Sequence, residues 1–301
     1  MRIAVLGAGL AGITSAWECL RDGHEVVVLD RADKPADFTS KANAGLIAPG
    51  HAFAWASPKV PGIMLRSLWR NDQAIRYRPS LNLRQWRWLG QFLRQCTAER
   101  AKINTRRKTR LCQYSQSRLQ TVSAETAFDY DHNTGGLIYF YRSSRSFEAA
   151  AIKSEILSSE GVGIETLDRD QVIARDPGLA DAYPVISGAL FVPSDESGDP
   201  YVFTDSLARR CVERGAQLQM QTEVTGIQTE SDRVVAIQTS QGRVVADAFV
   251  LALGVFSPDL LHHLGVQVPI YPVKGYSVTL PARANHCLPK LGGVDEDNLL
   301  A

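Results

Sequence analysis

The chain has 301 residues, is 45% hydrophobic and 22% charged, and carries a net charge of +1. That is the composition of a soluble globular protein with room for two interlocking domains, and the near-neutral balance points to neither nucleic acid nor an acidic partner. Five scattered cysteines (Cys19, Cys96, Cys112, Cys211, Cys287), with no Cys-x-x-Cys pair and no histidine at ligand spacing, argue against a disulfide framework or a metal site. The opening apolar run is only a strand's length, and no stretch reaches the roughly 18 to 20 apolar residues of a membrane span, so a cytoplasmic protein is expected.

In chain order, residues 2–6 read as a short buried strand containing Val5, and Gly7-Ala8-Gly9-Leu10-Ala11-Gly12 follows without a spare residue. Ile13, Ala16, Trp17 and Leu20 then recur at helical spacing, so a helix opens at Gly12 and stops at Gly23. Residues 24–30 form a second strand ending in Asp30, with Arg31 beside it. A Gly-x-Gly-x-x-Gly turn between strand and helix is the setting of a dinucleotide site. Gly7 permits the tight turn, Gly9 lets a pyrophosphate approach the backbone, and Gly12 lets helix and strand pack closely. The helix N-terminus faces the phosphates, and Asp30 can accept hydrogen bonds from ribose hydroxyls.

Further on, residues 84–118 carry ten cations (Arg84, Arg87, Arg94, Arg100, Lys102, Arg106, Arg107, Lys108, Arg110, Arg118) against Glu99 alone. Trp86, Leu89, Leu93 and Cys96 fall at helical spacing, which predicts one amphipathic helix with a cationic outer face. A solvated face covering a second domain accounts for it; peripheral contact with an anionic membrane surface is the other reading. Residues 135–141 and 188–192 read as strands, and residues 146–159 and 203–214 as helices. Residues 222–229, 233–239 and 243–246 alternate as a three-stranded meander, and residues 248–254 form a buried strand ending in glycine. His262 and His263 read as surface residues.

The order of helix, meander and strand ending in Ala252-Leu253-Gly254 resembles the flavoprotein fold related to glutathione reductase and D-amino acid oxidase. The segment Ser40-Lys41-Ala42-Asn43-Ala44-Gly45-Leu46 is similar to the Ser-x-x-Asn-x-Gly stretch of amine-oxidising flavoproteins. Residues 55–62 and 271–281 further resemble the small subunit of bacterial FAD-dependent D-amino acid dehydrogenases. The resemblance implies an α/β fold: a Rossmann-like FAD-binding domain of the glutathione-reductase type with a β-meander, and an interleaved α+β substrate domain. The expected division is 1–85 and 200–262 for the FAD-binding domain, and 86–199 and 263–301 for the substrate domain.

By the same resemblance FAD is the cofactor. Gly7, Gly9 and Gly12 with Val5, Ala8, Leu10 and Ala11 form its pyrophosphate turn. Asp30 and Arg31 hold the ribose end, Ser40, Asn43, Ala44, Gly45 and Leu46 line the flavin, and Val224, Ala252, Leu253 and Gly254 complete the crevice. Lys274, Tyr276 and His51 are substrate-side candidates, although a structural strand of the substrate domain is the better explanation of the first two. The implied reaction converts a D-amino acid to a 2-oxo acid and ammonia and passes electrons to a quinone or another respiratory acceptor. This suits a cytoplasmic protein, peripheral at the inner face of the cell membrane. Two other readings stay open: an oxygen-using amine oxidase of glycine, sarcosine or proline type, and an inactive flavoprotein. The family's final glycine-rich segment has no counterpart here, so the substrate domain is expected to be incomplete at the C-terminus.

Overall fold

The structure, a computed structural model, describes residues 1–69, 77–281 and 287–301. In chain order the elements begin β1 (Arg2–Leu6), α1 (Leu10–Arg21), β2 (Glu25–Leu29), β3 (Leu46–Ile47), α2 (Val60–Arg66), α3 (Leu83–Arg94) and α4 (Ala98–Thr126). The middle of the chain supplies β4 (Leu137–Tyr141), α5 (Ser144–Ser158), β5 (Glu165–Leu167), α6 (Arg169–Arg175), β6 (Gly188–Val192), β7 (Glu196–Ser197) and α7 (Pro200–Glu213). The last part holds β8 (Gln217–Gln219), β9 (Val224–Glu230), β10 (Arg233–Thr239), β11 (Gly242–Val245), β12 (Ala248–Leu251), α8 (Ser257–His262) and β13 (Gly292–Asp295).

These elements form two compact units. The first comprises Met1–Asn43, Ser123–Tyr130 and Asp199–Ser277; the second comprises Ala44–Val122, Asp131–Gly198 and Val278–Ala301. The divisions fall at 43/44 and 277/278 rather than at the expected 85/86 and 262/263. The reason at the first crossing is pairing: Leu46 and Ile47 form a ladder with Ser197 and Glu196, which commits residues 44–52 to the second unit.

In the first unit β12, β1, β2 and β8 lie side by side, all parallel, with Ile3 opposite both Ala248 and Val26. The β1 and β2 strands are buried on both faces beyond their first residues, which is why they read as continuous apolar runs. One face packs Ala4, Leu6, Val27 and Leu29 against Ile237 of the meander β9–β10–β11 and Leu260 of α8. Helix α1 buries Ile13, Ala16 and Trp17, and α7 buries Leu207 and Cys211; the Cys211 thiol lies 3.9 Å from the Ile13 carbonyl. Helix α1 begins at Leu10, two residues earlier than the periodicity predicts, because Gly9 has extended geometry and its carbonyl accepts the first helical hydrogen bond, from Ile13 N–H.

In the second unit the sheet order is β13–β4–β6–β5, antiparallel except for the β13–β4 pair. Leu137, Tyr139, Tyr141, Leu190 and Val192 form one core with Leu157 of α5; Ile138, Ala189 and Phe191 form another with Val172 of α6. The cationic stretch is two helices, not one. Gln95 closes α3, and the Thr97 hydroxyl accepts from Arg100 N–H at the start of α4. Leu89 and Cys96 are buried as the spacing predicts, whereas Trp86 and Leu93 are exposed. Part of the cationic face is neutralised within the unit, since Arg106 and Arg110 both pair with Glu160 at 3.2 and 2.7 Å. Among the described residues no helix is long and apolar enough to cross a membrane.

Candidate functional site

The first unit contains a pocket of about 420 Å³ at the C-terminal ends of β1, β2 and β12. Its walls come from five places: the glycine turn, residues 29–31 at the end of β2, the loop 36–40, residues 222–225 and residues 252–263. This is the crevice outside the strand ends of a parallel sheet, where the topology of open α/β folds leaves space for a ligand.

The glycines divide by function. Gly7 has φ +111°, and a Cβ there would lie 2.5 Å from the Ala252 carbonyl oxygen. A Cβ on Gly12 would overlap the Gly7 carbonyl, so this glycine sets how closely α1 approaches β1. Gly9 has ordinary backbone angles, and its Cβ would meet only the Ser40 hydroxyl, at 3.3 Å. Nothing in the protein demands glycine at position 9, and its open side faces the pocket. Helix α1 has no side-chain cap at Gly9, unlike α5, α6 and α7, which are capped by Ser143, Asp168 and Asp199. A helix opening whose own N-cap residue supplies no side chain, with room beside it, is suited to an anionic group such as a pyrophosphate.

Asp30 sits immediately after β2 and lines the pocket. One of its oxygens accepts from Ala8 N–H at 2.7 Å and the other from Ala32 N–H at 2.8 Å. A carboxylate offers about four acceptor positions, so this clamp on the turn leaves capacity for a ribose hydroxyl. The Ser40 hydroxyl accepts from Leu10 N–H at 2.9 Å and joins the loop to the helix start. The Lys41 ammonium, 2.9 Å from Asp37, holds that carboxyl below its usual range.

Of the expected cofactor residues, Gly7, Gly9, Leu10, Ala11, Asp30, Arg31, Ser40, Val224, Ala252, Leu253 and Gly254 all line this pocket. Val5, Ala8 and Gly12 are buried in the wall behind it. Asn43 reaches back to the Thr39 carbonyl at 3.4 Å, and Ala44, Gly45 and Leu46 belong to the second unit. Sequence reasoning missed an aromatic clamp. The Arg31 guanidinium lies 4.1 Å from the Phe256 ring centre and 5.0 Å from that of Phe38, and the two rings meet edge to face at 6.3 Å. His263, expected only as a surface residue, is exposed and also lines the pocket with Asp259. No local spacing signals these residues, because they converge from separate segments of the chain, around 31, 38 and 256–263.

The substrate-side candidates fare differently. Lys274 and Tyr276 lie in an exposed segment without strand structure, with the ammonium 5.1 Å from the ring centre and Tyr276 86% exposed. The expected strand there is absent; the segment has no backbone ladder partner among the described residues. His51 lies in the second unit, stacked on Tyr139 and 2.7 Å from Glu296.

A glycine-turn crevice at the ends of a parallel sheet that packs against a three-stranded meander is the architecture of a class of nucleotide-binding flavoproteins. The chain matches the family of FAD dependent oxidoreductases over residues 2–298 and belongs to that family, whose cofactor is FAD. It is 41% identical over 301 residues to a D-amino acid dehydrogenase of Granulibacter bethesdensis, an alignment covering all of this chain and 72% of that protein. It is 40% identical to D-amino acid dehydrogenase 2 of Mesorhizobium japonicum, covering all of this chain and 73% of that protein. Among solved structures, glycine oxidase from Geobacillus kaustophilus superposes with a TM-score of 0.64 at 19% identity, over 88% of this chain and 59% of that one. L-Amino acid deaminase from Proteus myxofaciens gives 0.62 at 17% identity, over 89% and 48%. At those identities the likeness is one of fold.

Proposed function

We propose that this chain serves the FAD-dependent oxidative deamination of D-amino acids to 2-oxo acids and ammonia. The observation that carries the reading is the pocket at the glycine turn, set in a chain about 40% identical along its whole length to D-amino acid dehydrogenases. The residues present fit the cofactor: a helix opening with a glycine in place of a capping side chain, the open side of that glycine, and a carboxylate at the end of β2.

In this reading Gly7, Gly9 and the start of α1 hold the pyrophosphate, and Asp30 and Arg31 hold the adenosine end. Val224, Ala252, Leu253 and Gly254 form the opposite wall, and residues 40–46 run to the flavin side. Bound FAD supplies the two-electron acceptor that side chains cannot provide. An unprotonated substrate amine can release hydride from Cα without a separate protein base, so the protein's tasks are to orient Cα–H and hold the carboxylate. Lys274, Tyr276 and His51 remain the substrate-side candidates. The electrons pass to a quinone or another respiratory acceptor. The exposed cations of α3 and α4, with Trp86 beside them, favour peripheral contact with the anionic inner face of the cell membrane.

The test is an absorption spectrum of the purified chain after incubation with FAD and removal of free cofactor, followed by anaerobic addition of D- or L-alanine. Retained flavin bands that bleach with the D-enantiomer alone are expected. Bleaching by L-alanine alone would refute the enantiomer preference, and rapid oxygen use with stoichiometric peroxide would favour an oxidase.

A further inference from the structure

Helix α3 departs from the usual plan of a surface helix. Its inward side is narrow: Gln85 and Leu89 are buried, and Trp88 and Phe92 are half-buried beside them, their rings stacked 4.9 Å apart. Gln85 binds the incoming chain, accepting from Ser80 N–H at 2.7 Å and donating to the Arg78 carbonyl at 2.9 Å. The Asn82 side chain caps the helix by accepting from Arg84 N–H at 2.9 Å. The helix is therefore held from beneath and at its start, and its other side faces outward.

That outer side is not uniformly polar. Leu83 is 82% exposed, Trp86 48% and Leu93 40%, and Leu81, just before the cap, is wholly exposed. At spacings of three, four and three, Leu83, Trp86, Gly90 and Leu93 form one stripe along the helix. The Trp86 indole N–H donates to the Ser80 carbonyl at 2.8 Å, so its ring carries no unsatisfied donor into an apolar medium. Bordering the stripe are the exposed Arg84, Arg87 and Arg94, and residues 81–97 contain no acid.

Large apolar side chains grouped on a protein surface mark a contact site. The arginines call for an anionic partner, and the leucines and tryptophan call for an apolar layer directly beside that charge. The face of an anionic bilayer supplies both; nucleic acid supplies the charge without the layer.

We propose that α3 lies in the plane of an anionic membrane surface, with Leu83, Trp86 and Leu93 entering the acyl boundary and Arg84, Arg87 and Arg94 at the level of the headgroups. This rests on the reading of peripheral membrane contact, and narrows it from two cationic helices to one face of one of them.

The test mixes the full chain with vesicles of equal parts phosphatidylcholine and phosphatidylglycerol and measures bound protein by sedimentation. Leu83→Ser combined with Leu93→Ser keeps the charge and weakens partitioning about tenfold. Arg87→Gln combined with Arg94→Gln weakens it roughly thirtyfold, a difference that added salt removes. Brominated acyl chains quench part of the wild-type tryptophan fluorescence, and Trp86→Phe abolishes that part. All these positions lie outside the nucleotide pocket, so melting temperature and FAD binding stay at wild-type values.

Equal partitioning of wild type and the leucine variant overturns the proposal and leaves a purely electrostatic membrane contact standing. Quenching that Trp86→Phe leaves unchanged overturns it too, because another part of the chain then enters the lipid. A wild-type chain that ignores anionic vesicles but binds heparin places the arginines against a soluble polyanion, and the membrane reading falls with the proposal. Should the leucine variant fail to fold, the quenching comparison between wild type and Trp86→Phe decides alone.

Discussion

Adding one methyl group at Gly9 and, separately, at Gly12 distinguishes a glycine kept for a ligand from one kept for the fold. At Gly9 the backbone is extended, with φ −77° and ψ −178°, so alanine meets no backbone strain. Its Cβ would approach only the Ser40 hydroxyl, at 3.3 Å, and that side chain can yield by a few tenths of an ångström. The cost to stability is that of alanine at an N-cap, about 0.5–1 kcal/mol. The methyl would nevertheless occupy the space a pyrophosphate needs, and a loss of affinity for FAD on the order of 100-fold, about 2.8 kcal/mol, is expected.

At Gly12 the methyl overlaps the Gly7 carbonyl and would lie 3.5 Å from the Ala252 side chain, so α1 must retreat from β1. Overpacking of this kind costs ~3 kcal/mol, a large share of a typical domain's 5–15 kcal/mol. Thermal denaturation without cofactor and FAD fluorescence titration separate the two effects. The Gly9→Ala chain should melt close to wild type and bind FAD poorly, and the Gly12→Ala chain should melt well below it. A Gly9→Ala chain that binds FAD like wild type would refute the placement of the pyrophosphate at this turn. A Gly12→Ala chain with wild-type stability would refute the helix–strand packing argument.

Three further outcomes follow from particular side chains. Burial pushes the Asp195 carboxyl up to about 6, against hydrogen bonds from Tyr139 and Gly50 and the nearby His51 that favour its ionised form, with Glu196 and the Cys112 thiol of α4 also facing it. An acid whose folded-state pKa lies above its unfolded value of 3.8 weakens the fold as pH rises through that window. The loss begins near pH 4 and is complete above about pH 7, where it reaches roughly 3 kcal/mol. Denaturant titrations should therefore show Asp195→Asn gaining on wild type between pH 4 and 7.5; a gap that does not change with pH would contradict this. Arg31→Ala removes the cation that lies against Phe38 and Phe256 and should weaken FAD binding about three- to tenfold with little change in melting temperature. Equal affinity in a fluorescence titration would show that the clamp is not part of the cofactor wall. In sedimentation with vesicles, the chain should pellet with anionic and not with neutral lipid, and added salt should release it. Binding that ignores lipid charge would exclude the cations of α3 and α4 as the cause.

Much of the nucleotide site could be read along the chain because its parts are local. A strand, a glycine turn, a helix and an acid-ended strand occupy the first thirty-one residues, and the turn's geometry needs only neighbours in sequence. The meander was equally legible, since its strands pair through short turns and differ from the reading by a residue or two at their ends. The cationic stretch misled for a related reason. Helical periodicity persists across Gln95 and Thr97, whereas the break depends on a threonine cap that periodicity does not register.

The sequence by itself determined the parallel strands, the fingerprint turn and the identity of eleven of the twenty-four pocket-lining residues, because side-chain period and glycine spacing are properties of the local backbone. Only the tertiary structure decided that Arg31 lies against both Phe38 and Phe256, since those rings are 218 positions apart. The same holds for the buried carboxylate of Asp195, which stands 145 positions from the Gly50 amide and 56 from the Tyr139 hydroxyl that it joins. Contacts of that range are set by which strands share a sheet and where the chain crosses between units, and those choices minimise exposed apolar surface over the whole fold rather than along any one segment.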